Sequence, residues 1–177
     1  MAYRNGVYCA FDGQGTTNPT ESDIRYYNTL KMWSTKEDFS YINSHEKTRA
    51  VRDKSKAETL KTVLRQRLAN SKVVLIILSE QTNFDRGFLN YEIEKAIDTY
   101  KLPIIIAYTG IESPITNLTS KLKNRWPKAL DERLNDSSDR SDISCLHIRF
   151  KKEDISRALK DMSVHNKKYI GKRLVYN

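Results

Sequence analysis

The stretch LSEQTNFDRGFLNYEIEKAIDTY, residues 78–100, places hydroxyl, amide and carboxylate side chains between an apolar run and an amphipathic helix. At about 100° per residue, Glu92 lies on the border of the apolar stripe of that helix, which is formed by Leu89, Ile93, Ala96, Ile97 and Tyr100. A carboxylate in this position is partly shielded from water, which makes it a candidate functional group. An acid in the first turns of a helix also complements the helix dipole, so the spacing alone leaves both interpretations of Glu92 open.

A second polar segment, YCAFDGQGTTNP at residues 8–19, follows the first apolar run. The dinucleotide fingerprint needs three glycines in the spacing G-x-G-x-x-G, but Asn18 stands at the third position and Pro19 delays the helix. This pattern favours a flexible loop. The sequence also contains neither the phosphate-binding G-x-x-x-x-G-K-[ST] motif nor the hydrolase motif G-x-S-x-G.

Short apolar runs alternate with helical periodicity along the chain. The pattern predicts strands at 7–11, 39–42, 72–78, 103–108 and 145–150, and helices at 22–33, 56–69, 87–100 and 153–164. The runs KVVLIIL and PIIIAY are apolar throughout, as in central parallel strands that are covered on both faces. The expected fold is a three-layer, flavodoxin-like parallel sheet of about five strands with helices on both faces.

Ligands of such sheets bind beyond the carboxyl ends of the strands. In this chain those ends are predicted at residues 11–12, 43–45, 79–80 and 108–110. The 177 residues suit one domain, 1–177, with an irregular region at 110–144 and a C-terminal helix and basic tail at 151–177.

Composition excludes several classes of protein. No apolar run approaches the roughly 20 residues that span a bilayer, and the N-terminal apolar run is too short for a signal peptide. Cys9 and Cys145 form no disulfide framework and are expected to be reduced core residues of a cytoplasmic protein. The three histidines are too scattered to suggest a metal site, so no metal and no cofactor is expected.

The net charge of +9 suits an anionic partner such as a nucleotide. Residues 151–177 alone hold eight Lys and Arg against three Asp and Glu. No aromatic residues alternate with these cations as a nucleic-acid stacking platform requires, so a solvated basic surface is favoured over nucleic-acid binding.

Several segments in this order and spacing resemble TIR domains, and most closely the TIR-like branch found in bacterial Thoeris anti-phage systems. They are YCAFDG (8–13), IRYYNTLKMW (24–33), SHEKT (44–48), VRD (51–53), LKTVLRQRLANSKVVLIILSEQT (60–82), LNYEIEKAID (89–98) and LPIIIAYTG (102–110). The resemblance is good from about residue 7 to 110 and loose after that. The chain departs from the typical TIR motif in having Phe88-Leu89 where the family often has Trp-Cys.

The resemblance implies a TIR-like fold and an enzyme that cleaves NAD, used as substrate, at the nicotinamide–ribose bond. The ADP-ribose is then cyclised or transferred, giving a signal nucleotide that activates a partner effector in defence. Glu92 matches the catalytic glutamate of the family's NAD-cleaving members. Family members often assemble, so a homo-oligomer is compatible with the resemblance, and no membrane partner is expected.

Further substrate-binding residues are predicted from their positions at the strand ends. Phe11 and Asp12 would contact the base and the ribose of the substrate. Ser79, Thr82 and Asn83 would bind ribose or phosphate oxygens, and Ser44 and His45 would line the crevice. For His45 a loop role is an equal alternative. The competing functions are a TIR-like interaction module without activity, a nucleoside-processing transferase, and a nucleic-acid binder that is suggested by charge alone.

Overall fold

The computed structural model describes residues 4–14, 18–36, 41, 57–82, 88–135 and 140–175. Within these ranges the chain forms one five-stranded, fully parallel sheet in which the strand order follows the chain. The strands are β1 (Gly6–Ala10), β2 (Ser71–Leu78), β3 (Ile104–Tyr108), β4 (Cys145–Arg149) and β5 (Arg173–Val175). In the central strands β2 and β3 every residue except Lys72 is buried, as their continuous apolar sequences predict.

Helices cover both faces of the sheet. Side chains of α1 (Ile24–Ser34) and α6 (Lys152–Asp161) pack against one face. The other face packs against α2 (Ala57–Ala69), α3 (Leu89–Glu94), α4 (Ser120–Lys123) and α5 (Lys128–Leu134). Successive strand residues point to opposite faces, so each strand contributes to both cores. The predicted three-layer α/β architecture is therefore confirmed.

The helix predicted over 87–100 changes its winding partway along. Within the described residues it begins as α3 and continues as a π-helical turn, Lys95–Thr99. The Tyr100 N–H donates to the Lys95 carbonyl at 3.0 Å, five residues back. The extra residue in this turn accompanies a contact of Asp98 with Arg133 of α5 and with Arg140.

One predicted strand lies almost entirely outside the described residues, and one predicted segment differs from the structure. The strand predicted at 39–42 lies outside the described residues except for Tyr41, which is buried. The segment predicted as a basic tail contains β5, in which Arg173 and Leu174 pair with Cys145 and Leu146 of β4. A strand of three residues with only two apolar side chains carries too little periodicity to be recognised from sequence.

The region 110–144, predicted to be irregular, holds the short helices α4 and α5. Among the described residues, no helix has both the length and the apolar character that crossing a membrane requires.

Candidate functional site

A cavity of about 430 Å³ lies at the carboxyl ends of β1, β2 and β3, next to the first turn of α1. Its walls are formed by Gln14, Ser22, Asp23, Arg25, Tyr26, Ser79, Glu80, Gln81, Thr109 and Gly110. The volume falls within the range of about 300–1,000 Å³ that is typical of small-molecule sites. The cavity thus occupies part of the sheet edge at which the sequence predicts ligand binding.

Asp23 supplies a buried carboxylate to this cavity, with only 1% of its surface exposed. Its Oδ2 accepts a hydrogen bond from the Thr82 hydroxyl at 2.9 Å. The Thr82 oxygen in turn accepts the Ser79 backbone N–H at 2.7 Å and lies 3.1 Å from the Ser79 hydroxyl. Because the Thr82 proton goes to the carboxylate, the Ser79 hydroxyl is the donor in the Ser79–Thr82 pair.

Burial raises the pKa of Asp23, and the hydrogen bonds of Ser79 and Thr82 oppose that rise. The neighbouring carboxylate of Asp12 adds to the increase, whereas the Arg25 guanidinium lowers the pKa. The pKa of Asp23 therefore depends on burial, hydrogen bonds and neighbouring charges, all of which a bound ligand can change.

The outer wall of the cavity combines a cation with an aromatic ring. The Arg25 guanidinium carbon lies 4.7 Å from the centre of the Tyr26 ring, and its Nη2 donates to the Tyr26 hydroxyl at 3.0 Å. Three further lining residues, Gln14, Ser22 and Gly110, have positive φ angles of 53°, 52° and 67°. Glycine adopts this conformation freely, but for Gln and Ser it is strained. Strained backbone conformations are common at functional sites.

Glu92 lies in the first turn of α3, on the face of the sheet opposite α1, and is half-buried. Burial raises the pKa of its carboxyl group to about 7. A hydrogen bond with the Tyr8 side chain of β1 and the charge of Arg67, in the last turn of α2, oppose this rise. Glu92 is thus placed between three elements of the fold, as a shielded acid that ionises near neutral pH.

The two carboxylates lie near the same strand. Glu92 and Asp23 both raise the pKa of the buried Cys9 thiol of β1, in addition to the larger effect of burial. Glu92 itself is not among the described residues that line the cavity. The described part of the site therefore has two acidic centres, with β1 between them.

The predicted binding residues divide into three groups. Ser79 lines the cavity, and Thr82 lies beneath it through its bond to Asp23. Phe11 stacks on Tyr27 of α1 with ring centres 5.0 Å apart, and Asp12 is buried and accepts the Gln14 N–H at 2.8 Å. The others, Ser44, His45 and Asn83, lie outside the described residues.

Sequence reasoning missed Asp23 and Arg125. An Asp immediately before a helix is an ordinary N-cap, so nothing in the sequence pointed to a cavity. Arg125 is 3% exposed; it donates to the Thr109 carbonyl at 2.8 Å and to the Leu78 carbonyl at 3.4 Å, and it pairs with Glu80 at 3.3 Å. Arg125 thereby joins the ends of β2 and β3 behind the cavity. No local sequence pattern indicates this role.

The family model described as Thoeris protein ThsB, TIR-like domain, matches residues 8–113. This segment is more than half of the 177 residues and contains Glu92 and the ends of β1, β2 and β3.

Proposed function

The chain belongs to the TIR-like domain family of the Thoeris protein ThsB, and from this premise we propose that it cleaves the nicotinamide–ribose bond of NAD. Family membership supports a role in Thoeris anti-phage defence. In the proposed reaction the ADP-ribose is cyclised or conjugated, and the product acts as the signal that activates a partner effector. NAD is the substrate, and the reaction needs no further cofactor.

The observation that carries this proposal is the position of Glu92. Nicotinamide leaves NAD as a neutral molecule because it is already cationic in the substrate, so the departure needs no general acid. The positive charge then develops on the ribose, and a nearby anion stabilises it. A half-buried carboxylate is well suited to this, because electrostatic attraction is stronger where water is excluded.

The raised pKa of Glu92 is compatible with this role. The carboxyl group has a pKa of about 7 without substrate. A bound pyridinium cation favours the ionised form of a neighbouring acid, so substrate binding would convert Glu92 to the carboxylate. Tyr8 would orient it from β1, and exclusion of water would favour attack by another group of the same molecule.

The remaining predicted binding residues take secondary roles in this proposal. Ser79 and Thr82 would contact the substrate's hydroxyls, directly or through Asp23, whereas Phe11 and Asp12 would shape the loop after β1. Ser44, His45 and Asn83 remain predicted binding residues.

The test is to incubate the purified chain with NAD and to follow nicotinamide and nucleotide products by chromatography and mass spectrometry. The assay is run with the protein alone and in extract of phage-infected cells. Glu92→Gln should lower nicotinamide release by about 100-fold or more, as does loss of a comparable charge-stabilising group. Glu94→Gln changes a partly exposed acid of the same helix, paired with Lys95 at 2.8 Å, and should leave the rate unchanged.

The product mass separates cyclisation from hydrolysis and conjugation. Equal release by the wild type and Glu92→Gln would contradict the catalytic role of Glu92. No release in either setting by a correctly folded protein would instead favour the interaction module without activity.

A further inference from the structure

Asp23 stands at the N-cap of α1 but does not cap the helix. Its side chain makes no hydrogen bond to the first turn of α1. The carboxylate instead reaches 59 positions along the chain to Thr82, in the loop that follows β2. A buried carboxylate that does not bond to its own helix and borders a cavity is better explained by a ligand than by helix stability alone.

The polar groups around Asp23 suit a ligand that carries hydroxyl groups. A carboxylate accepts hydrogen bonds from a vicinal diol, and the Ser79 hydroxyl adjoins it on the cavity wall. Glu80 also lines the cavity, but its carboxylate is paired with Arg125 at 3.3 Å. Asp23 is therefore the acid of the lining that is best placed to accept hydrogen bonds from a hydroxyl-bearing group such as a ribose.

Another part of the lining suits an aromatic base. The exposed Arg25 lies over the Tyr26 ring, and both residues line the cavity. Guanidinium planes and aromatic rings both stack on nucleobases without requiring a particular sequence. With a ribose at Asp23 and a base at Arg25, the cavity of about 430 Å³ has room for a nucleoside.

We propose that this cavity binds the adenosine half of NAD, with Asp23 accepting hydrogen bonds from the ribose hydroxyls and Arg25 stacking on the adenine. The inference rests on the proposed NAD-cleaving function. Two carboxylates on either side of β1 then hold the two riboses of one dinucleotide: Glu92 the one that reacts, and Asp23 the one that does not. Asp23 is a binding residue in this scheme and takes no part in breaking the bond.

The experiment measures binding of adenosine and of 2′,3′-dideoxyadenosine to the full chain by ligand-observed NMR. Asp23→Asn should weaken adenosine binding by about tenfold to a hundredfold, because it removes hydrogen bonds to a charged acceptor. The affinity of the dideoxy compound for the wild type should be as low as that of adenosine for Asp23→Asn. The affinity of the dideoxy compound should be nearly the same for the wild type and for Asp23→Asn. Asp131→Asn, at an exposed acid of α5, is the matched control, and Ser79→Ala is a second cavity variant that leaves the carboxylate in place.

The outcomes separate this inference from the proposed function. If NAD is cleaved, adenosine should compete with it, and Asp23→Asn should raise KM with little change in kcat. Adenosine binding that does not depend on the diol or on Asp23, or that does not compete with NAD cleavage, would overturn the inference even in an active enzyme. If NAD is never cleaved but diol-dependent binding at Asp23 is observed, the catalytic proposal fails and the nucleoside site stands.

Discussion

The Tyr108 hydroxyl of β3 lies 2.9 Å from Nδ1 of His147 in β4. The same hydroxyl lies 2.8 Å from the indole Nε1 of Trp126, between α4 and α5. An indole N–H only donates, so the Tyr108 oxygen accepts from Trp126 and its proton goes to His147. The proton of His147 is then on Nε2, 3.1 Å from the Cys145 sulfur. Burial lowers the pKa of His147 to about 3, which keeps the ring neutral within this buried chain of hydrogen bonds.

Tyr108→Phe should lower the free energy of unfolding by about 2–3 kcal/mol, because it leaves the Trp126 N–H and His147 Nδ1 without their partner in the core. Urea unfolding followed by tryptophan fluorescence measures the change. Tyr100→Phe, at a half-buried tyrosine next to the same core, is the control and should cost less than about 0.5 kcal/mol. A loss for Tyr108→Phe no larger than the control's would show that the hydrogen-bond chain does not stabilise the fold.

The half-buried acid Glu92 leads to a prediction about how stability depends on pH. Its pKa rises from 4.5 to about 7 on folding, so the folded chain binds more protons than the unfolded chain between these values. The stability from this group is complete below pH 4.5 and is lost as the pH rises through 7. Glu92→Gln has no charge to bury, so it should be more stable than the wild type by about 1–3 kcal/mol at pH 8 and similar to it at pH 4.5.

Urea unfolding at pH 4.5, 6, 7 and 8 tests this difference. Glu94→Gln should show no such pH-dependent gain, because Glu94 is partly exposed and paired with Lys95. A stability gain of Glu92→Gln that is the same at every pH would mean that burial of the charge is not its cause.

The same titration should appear in the activity. If ionised Glu92 stabilises the developing ribose cation, kcat/KM for NAD should rise with pH and level off above about 7, the pKa of the free enzyme. Tyr8→Phe removes a hydrogen bond that lowers this pKa, so the midpoint should move to higher pH. A pH–rate profile for wild type, Tyr8→Phe and the control Tyr100→Phe measures it. A midpoint that stays in place in Tyr8→Phe would show that Tyr8 does not tune the reacting acid.

The fold was largely predictable because its strands carry unmistakable patterns. KVVLIIL and PIIIAY became the buried strands β2 and β3, and the amphipathic pattern at 56–69 became α2 to within one residue. β5 was not predictable, because three residues offer no period and its position depends on pairing with β4. The π-helical turn was also missed, since its extra residue accompanies contacts of Asp98 with distant arginines.

The site was predictable only where it follows the strand ends. Ser79 lines the cavity because the carboxyl ends of parallel strands share one edge, a property of topology that sequence order reveals. The bond from Asp23 to Thr82 spans 59 positions, and the bonds of Arg125 to the Leu78 and Thr109 carbonyls span 47 and 16. Such contacts depend on how the loops pack, which no local pattern encodes.

The contact between Asp98 and Arg133 of α5 leads to a prediction about stability and hydrogen exchange. Asp98 accepts from Arg133 Nε at 3.1 Å and from Arg140 Nη1 at 3.1 Å, and the hydrogen bonds of Arg133 and then Arg140 lower its pKa. This stability is present above the ordinary pKa of Asp and is lost as the pH falls through the lowered value in the folded chain. Because its side chain is 35% exposed, Asp98→Asn should cost only about 1–2 kcal/mol at pH 7, and hydrogen exchange should rise in α5 before the sheet. Asp131→Asn, an exposed acid of α5, should cost less than about 0.5 kcal/mol. Unchanged exchange in α5 of Asp98→Asn would show that other contacts hold this helix on the sheet.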